Sequence, residues 1–79
     1  MQLLNQSKKT MKQLTAYEAF IRLNSLYVRF LTKPRKRGRI IQEIEEMTRI
    51  ICEDDKVLPG LKQRAKNMLK YYQNMMENV

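Results

Sequence analysis

An all-α fold, a small three-helix bundle, is predicted by three features of this 79-residue chain. Apolar residues recur every three or four positions in three separate stretches, which is the period of an amphipathic helix. Proline and glycine stand between the stretches, as Pro34 and Gly38 and as Pro59-Gly60, and such residues punctuate helices. The first stretch opens on Thr15-Ala16-Tyr17-Glu18, a capping-box pattern in which a Thr hydroxyl and a Glu carboxylate satisfy free amides at a helix start.

The first helix is therefore expected over residues 15–31. At 100° per residue, Ala16, Phe20, Leu23, Tyr27, Phe30 and Leu31 share one face, widened on both sides by Ala19, Ile21, Leu26 and Val28. Only Glu18, Arg22, Ser25 and Arg29 form a polar stripe. A face that wide predicts a central helix, touching both other helices or forming a homodimer through residues 15–31. Met11 and Leu14 fall out of phase with it, so the chain should bend near Thr15. Residues 1–14, with Lys8, Lys9 and Lys12, are expected as either a short fourth helix or a basic arm ahead of a helical domain at 15–79.

Ile40, Ile44, Met47 and Ile51, with Ile41 and Thr48 beside them, place a second helix at 39–53. Its other face is acidic. Glu43, Glu45, Glu46, Glu53, Asp54 and Asp55 are six of the eight acidic residues, and Glu45 stands one turn before Arg49, where the two can pair. Pro59 suits the first turn of a helix, because its missing amide would have no partner there. A third helix at 59–76 gathers Leu61, Ala65, Met68, Leu69, Tyr72, Met75 and Met76 on one side and sets Lys62, Lys66 and Lys70 along a flank. Short connections make successive helices antiparallel neighbours.

The strongest functional signal is the run Lys33-Pro34-Arg35-Lys36-Arg37-Gly38-Arg39, with five of the sixteen Lys and Arg residues in seven positions. Framed by a proline and a glycine, it is expected as a turn. Lys33, Arg35, Lys36, Arg37 and Arg39 are the candidate phosphate ligands, with Lys62, Lys66 and Lys70 as a secondary surface. Arg37 and Arg39 also begin the second helix, where the macrodipole disfavours cations, and a bound anion would relieve that conflict. The formal net charge of +8 favours a polyanionic partner: nucleic acid, an anionic membrane surface or an acidic protein surface.

Arg35-Lys36-Arg37-Gly38-Arg39 resembles the AT-hook family, which lays Arg-Gly-Arg along an AT-rich minor groove. Ile40 stands where that family places a proline. The resemblance covers five residues and implies minor-groove contact by this segment. Lys33 to Arg39 also resembles a basic nuclear-localisation signal.

Several kinds of chemistry are disfavoured. The chain has no histidine, the commonest general base, metal ligand and pH switch. Cys52 precedes Glu53, Asp54 and Asp55, whose charges oppose a thiolate, so it is expected as a structural residue. Two glycines cannot write a P-loop or a dinucleotide fingerprint. Without such a loop the acidic residues are expected as a solvated face rather than a Mg²⁺ site. No cofactor, metal or catalysis is anticipated. A single cysteine excludes an internal disulfide framework, and the first residues lack the apolar core of a signal peptide, so a reducing cytoplasmic setting is expected. No apolar stretch approaches the roughly 18 residues that span a bilayer, which argues against integral membrane association.

None of the six aromatic residues lies in the basic run, and Tyr71 is the ring expected to be exposed. Stacking on single strands is thus disfavoured against phosphate contact with DNA or structured RNA. The expected function is a small, basic, non-enzymatic helical protein that binds nucleic acid through its phosphates, in a regulatory role. The alternative is a protein-interaction module, such as a phage- or mobile-element-type inhibitor or adaptor docking on a larger complex. Peripheral membrane binding by residues 60–77 ranks last, because the core needs that apolar face.

Overall fold

A computed structural model describes residues 14–77, which form a three-helix all-α bundle: α1 (Ala16–Thr32), α2 (Arg37–Glu53) and α3 (Pro59–Glu77). The N-terminal arm or fourth helix expected over 1–14 lies, apart from Leu14, outside the described residues. Thr15 caps α1 as its sequence pattern requires. Its Oγ1 accepts from the Glu18 amide at 3.1 Å and its own amide donates to Glu18 Oε1 at 2.9 Å, closing the reciprocal capping box.

The segment Pro34–Lys36 is a 3-10 turn that runs directly into α2. α2 therefore begins at Arg37 instead of Arg39, and Gly38 has ordinary helical backbone with no positive φ. The basic run is thus only half a turn; its second half is the first turn of a helix. At the other end of α2, Asp54 Oδ1 accepts from the Lys56 amide at 2.9 Å, and the Leu58 carbonyl accepts from the amides of Leu61 and Lys62. Pro59, with no amide to donate, opens α3.

The middle helix is the central one. α2 packs against both α1 and α3, whereas no Cα of α1 comes within 8 Å of a Cα of α3. The outer helices meet instead through aromatic side chains. Tyr72 stacks on Tyr27 with centroids 5.0 Å apart and meets Phe30 edge-on at 4.9 Å. The core consists of Ala16, Ala19, Leu23, Leu26 and Phe30 from α1, Ile40, Ile44, Met47 and Ile51 from α2, and Ala65 and Tyr72 from α3. Leu31, assigned to the core face by its phase, is exposed, as is Leu61 at the start of α3. The inner side of α1 is covered by α2 and, through Tyr72, by α3, and among the described residues the outer side of its wide apolar face meets no other helix.

Thr48 is buried in α2 and its Oγ1 has no hydrogen-bond partner among the described residues. An unsatisfied buried hydroxyl costs stability that an isosteric methyl does not. Thr48→Val should therefore stabilise the fold by about 1 kcal/mol, raising the midpoint of thermal unfolding by roughly 4–8 °C for a domain of this size.

The stacked rings couple stability to alkaline pH. The Tyr27 hydroxyl is pushed above the ordinary value of 10.0, first by burial and then by Tyr72, with Arg64 opposing. Tyr72 is pushed up by burial and then by Tyr71. Near pH 10 the unfolded chain releases these protons while the folded chain retains them. Their contribution is complete below pH 10 and is lost as pH rises through the higher folded values. Urea midpoints should fall above pH 10 in the wild type, and a Tyr27→Phe/Tyr72→Phe variant should show a shallower fall.

Candidate nucleic-acid interface

The end of α1, the 3-10 turn and the start of α2 enclose a cleft of about 430 Å³ lined by Arg29, Lys33, Lys36, Arg39, Ile40 and Glu43. Four cations converge there against one carboxylate. The spacing explains the convergence. Arg29 and Lys33 are one turn apart along the end of α1, and Lys36, Arg39 and Glu43 succeed one another at three- and four-residue steps into α2. The amide of Lys33 donates to the Arg29 carbonyl at 2.8 Å and that of Lys36 to the Lys33 carbonyl at 3.0 Å, so backbone hydrogen bonds link the positions that carry three of the cations. All four cationic side chains are exposed. The first turn of α2 contains no acidic residue and has no side-chain cap. The 3-10 turn caps it instead, the Arg37 amide donating to the Pro34 carbonyl, and the positive pole of the helix dipole lies at the same end of the bundle as the cations.

Arg37 has a different task. Its Nε donates to the Phe30 carbonyl at 2.8 Å, and its guanidinium carbon lies 4.7 Å from the centre of the Phe30 ring. The charge thus sits at the C-terminal, negative pole of α1, where a cation is favoured. With Thr32 Oγ1 donating to Val28 and the Lys33 amide to Arg29, three successive terminal carbonyls of α1 are satisfied. The conflict expected for Arg37 at the start of α2 is resolved by its service to α1. Arg35 is exposed on the 3-10 turn and does not line the cleft.

Arg37 and Arg39 therefore point to different sides of one helical turn. An Arg-Gly-Arg segment laid along a minor groove needs extended backbone, so the AT-hook likeness does not extend to the conformation. The contrast can be measured. Arg37→Ala should cost about 2 kcal/mol of stability through a lost charge-assisted hydrogen bond and cation–π contact. Arg39→Ala should leave stability within about 0.5 kcal/mol, as read from urea unfolding.

Lys62, Lys66 and Lys70 do not join the cleft. Lys62 is half-buried near the C-terminal end of α2, where its carbonyl lies 4.0 Å from Cys52 Sγ, and Lys66 and Lys70 are exposed along α3. The acidic face of α2 is arranged around Arg49, which pairs with Glu46 and Glu53. Glu45, expected as the partner of Arg49, instead accepts from Gln73 Nε2 on α3 at 2.9 Å. Glu43 stands 4.0 Å from Arg22, so the one carboxylate of the cleft has a cation on its other side. Among the described residues no three His, Cys, Asp or Glu side chains gather as a metal site would need, and no helix is long and apolar enough to cross a membrane.

Arg29 was legible as part of the polar stripe of α1 but not as a ligand. The signal was its spacing, four residues before Lys33 and within one turn of the basic run. Among aromatic residues, Tyr17 is more exposed than Tyr71, and neither lines the cleft. Comparison with models of known protein families, with curated proteins and with solved structures gives no match.

Proposed function

We propose that this small basic helical protein binds nucleic acid by its phosphates, without catalysis and in a regulatory role, and that Arg29, Lys33, Lys36 and Arg39 form the grip. The observation that carries the reading is their convergence on one cleft, at a helix start that has no acidic residue and no side-chain cap. Two or more adjacent phosphates of a duplex or of structured RNA present the matching chemistry, a row of anions. Exposed Arg35 extends the positive surface beside the cleft, while Lys66 and Lys70 offer a separate, weaker one. No aromatic ring lines the cleft, which favours phosphate contact over base stacking. A free, half-buried Cys52 is compatible with a reducing cytoplasm. Titration of labelled duplex DNA and hairpin RNA at low and moderate salt tests the reading. Binding that weakens steeply with salt supports it, and absence of binding by the folded protein refutes it.

A second reading, docking of another protein chain, is favoured by a separate observation. Tyr17, Ile21, Val28 and Leu31 stand exposed on the outer side of α1, and apolar side chains grouped in this way mark interaction surfaces.

A further inference from the structure

Tyr17, Ile21, Asn24, Val28 and Leu31 follow one another at intervals of four, three, four and three residues. At 100° per residue they fall within a band about 80° wide. The band lies opposite Ala19, Leu23, Leu26 and Phe30, which face the core. It is well exposed: Tyr17 74%, Ile21 54%, Val28 61% and Leu31 52%. The 4-3 alternation is the spacing of a coiled-coil seam, where each side chain enters a hole formed by four side chains of a facing helix.

Resting on the docking reading, we propose that the occupant of this seam is α1 of a second copy of the chain, running antiparallel. Three observations select that partner, and the second and third select the direction. Asn24 is the midpoint both of the stripe and of the helix Ala16–Thr32. Full antiparallel overlap therefore sets Asn24 beside the Asn24 of the second copy, giving the one polar residue of each seam a hydrogen-bonding counterpart while Tyr17 meets Leu31 and Ile21 meets Val28. The polar flank beside the seam runs from Glu18 to Arg29. Antiparallel reversal brings Glu18 of one copy opposite Arg29 of the other, whereas parallel pairing would set this flank against the opposite flank, that of half-buried Phe20 and Tyr27, which offers no charge to match it. The basic clefts follow directly after the C-terminus of α1. Parallel helices would press the two clefts together; antiparallel helices separate them by about 25 Å, the length of 17 helical residues.

The exposed side chains of the seam amount to a few hundred Å² per copy, at the low end of interfaces that hold two proteins together. A dimer in exchange with monomer at micromolar concentrations is the expected state. Sedimentation equilibrium of the full chain without nucleic acid, from about 5 to 500 μM, should show mass rising from 9.5 kDa towards twice that value. Val28→Glu places a charge on each side of the seam and should weaken the dimer by about 100-fold or more. Because Val28 is exposed in the single chain, its circular dichroism and urea midpoint should remain those of the wild type. For direction, Tyr17→Cys chains are mixed with Leu31→Cys chains, both in a Cys52→Ser background, and oxidised. Antiparallel pairing yields mainly the mixed disulfide.

A wild type that stays monomeric overturns self-pairing, and leaves docking of a different protein on the stripe to stand or fall separately. A dimer that Val28→Glu leaves intact overturns a role for the stripe in association. Two homodisulfides in place of the mixed one overturn the antiparallel arrangement. None of these results depends on nucleic-acid binding, which the cleft substitutions address.

Discussion

Phe30→Ala should sharply lower the urea midpoint of unfolding. Phe30 is fully buried and joins all three helices: it packs within the core shared by α1 and α2, meets Tyr72 of α3 edge-on, and lies under the guanidinium of Arg37. Truncating a buried Phe costs about 3–5 kcal/mol, from lost transfer energy and an unfilled cavity. A domain of this size has a total stability of roughly 4–12 kcal/mol, so the loss takes from about a quarter to all of it. Phe30→Leu should cost under about 1.5 kcal/mol if the neighbours repack, while losing the aromatic edge contact. Far-UV circular dichroism and urea titration distinguish the two. Near-wild-type stability for Phe30→Ala would mean that α3 is not held through Tyr72.

Replacing Arg29, Lys33, Lys36 and Arg39 together by Ala should abolish measurable nucleic-acid binding and leave the fold intact, because all four side chains are exposed. Four phosphate contacts on a DNA duplex give a slope near −3.6 in log affinity against log salt. The wild type should then lose roughly 100-fold in affinity between 50 and 200 mM salt. The variant should show little binding at either concentration. Circular dichroism guards against a trivial explanation, since loss of helix would also remove the cleft. A variant that binds as tightly as the wild type would place the interface elsewhere, with Lys66 and Lys70 on α3 as the next surface to substitute.

The fold was legible because each helix declares its own ends and inner face. Thr15 and Glu18 form the predicted box, Pro59 opens α3, and Ile40, Ile44, Met47 and Ile51 are buried together. What periodicity could not supply was the order of packing. The width of the apolar face of α1 suggested a central helix touching both others; α1 does touch both, α3 through Tyr72, yet α2 occupies the centre and α1 retains an exposed outer side. A helical wheel records which side chains are apolar, not how many neighbours arrive to cover them. Leu31 and Ile21 lie outside the core for that reason.

The candidate site was legible in composition and not in geometry. The run from Lys33 to Arg39 was evident, but adjacent residues on a helical turn point in directions about 100° apart. That rotation sends Arg37 to the end of α1 and Arg39 into the cleft, while Arg29, four residues upstream of the run, joins from the preceding helix. The helical state of Gly38 follows from the same local physics: with Pro34 starting a 3-10 turn, the next turn continues as helix, and glycine there needs no unusual φ.

The measurement that addresses the cleft most directly is the salt slope of duplex binding for Arg29→Ala beside Arg35→Ala. Arg29 lies outside the basic run but inside the cleft, whereas Arg35 lies inside the run but outside the cleft. A phosphate grip built by the cleft predicts that Arg29→Ala reduces the slope by about 0.9 and Arg35→Ala leaves it nearly unchanged. The reverse pattern, or binding indifferent to salt, would contradict it.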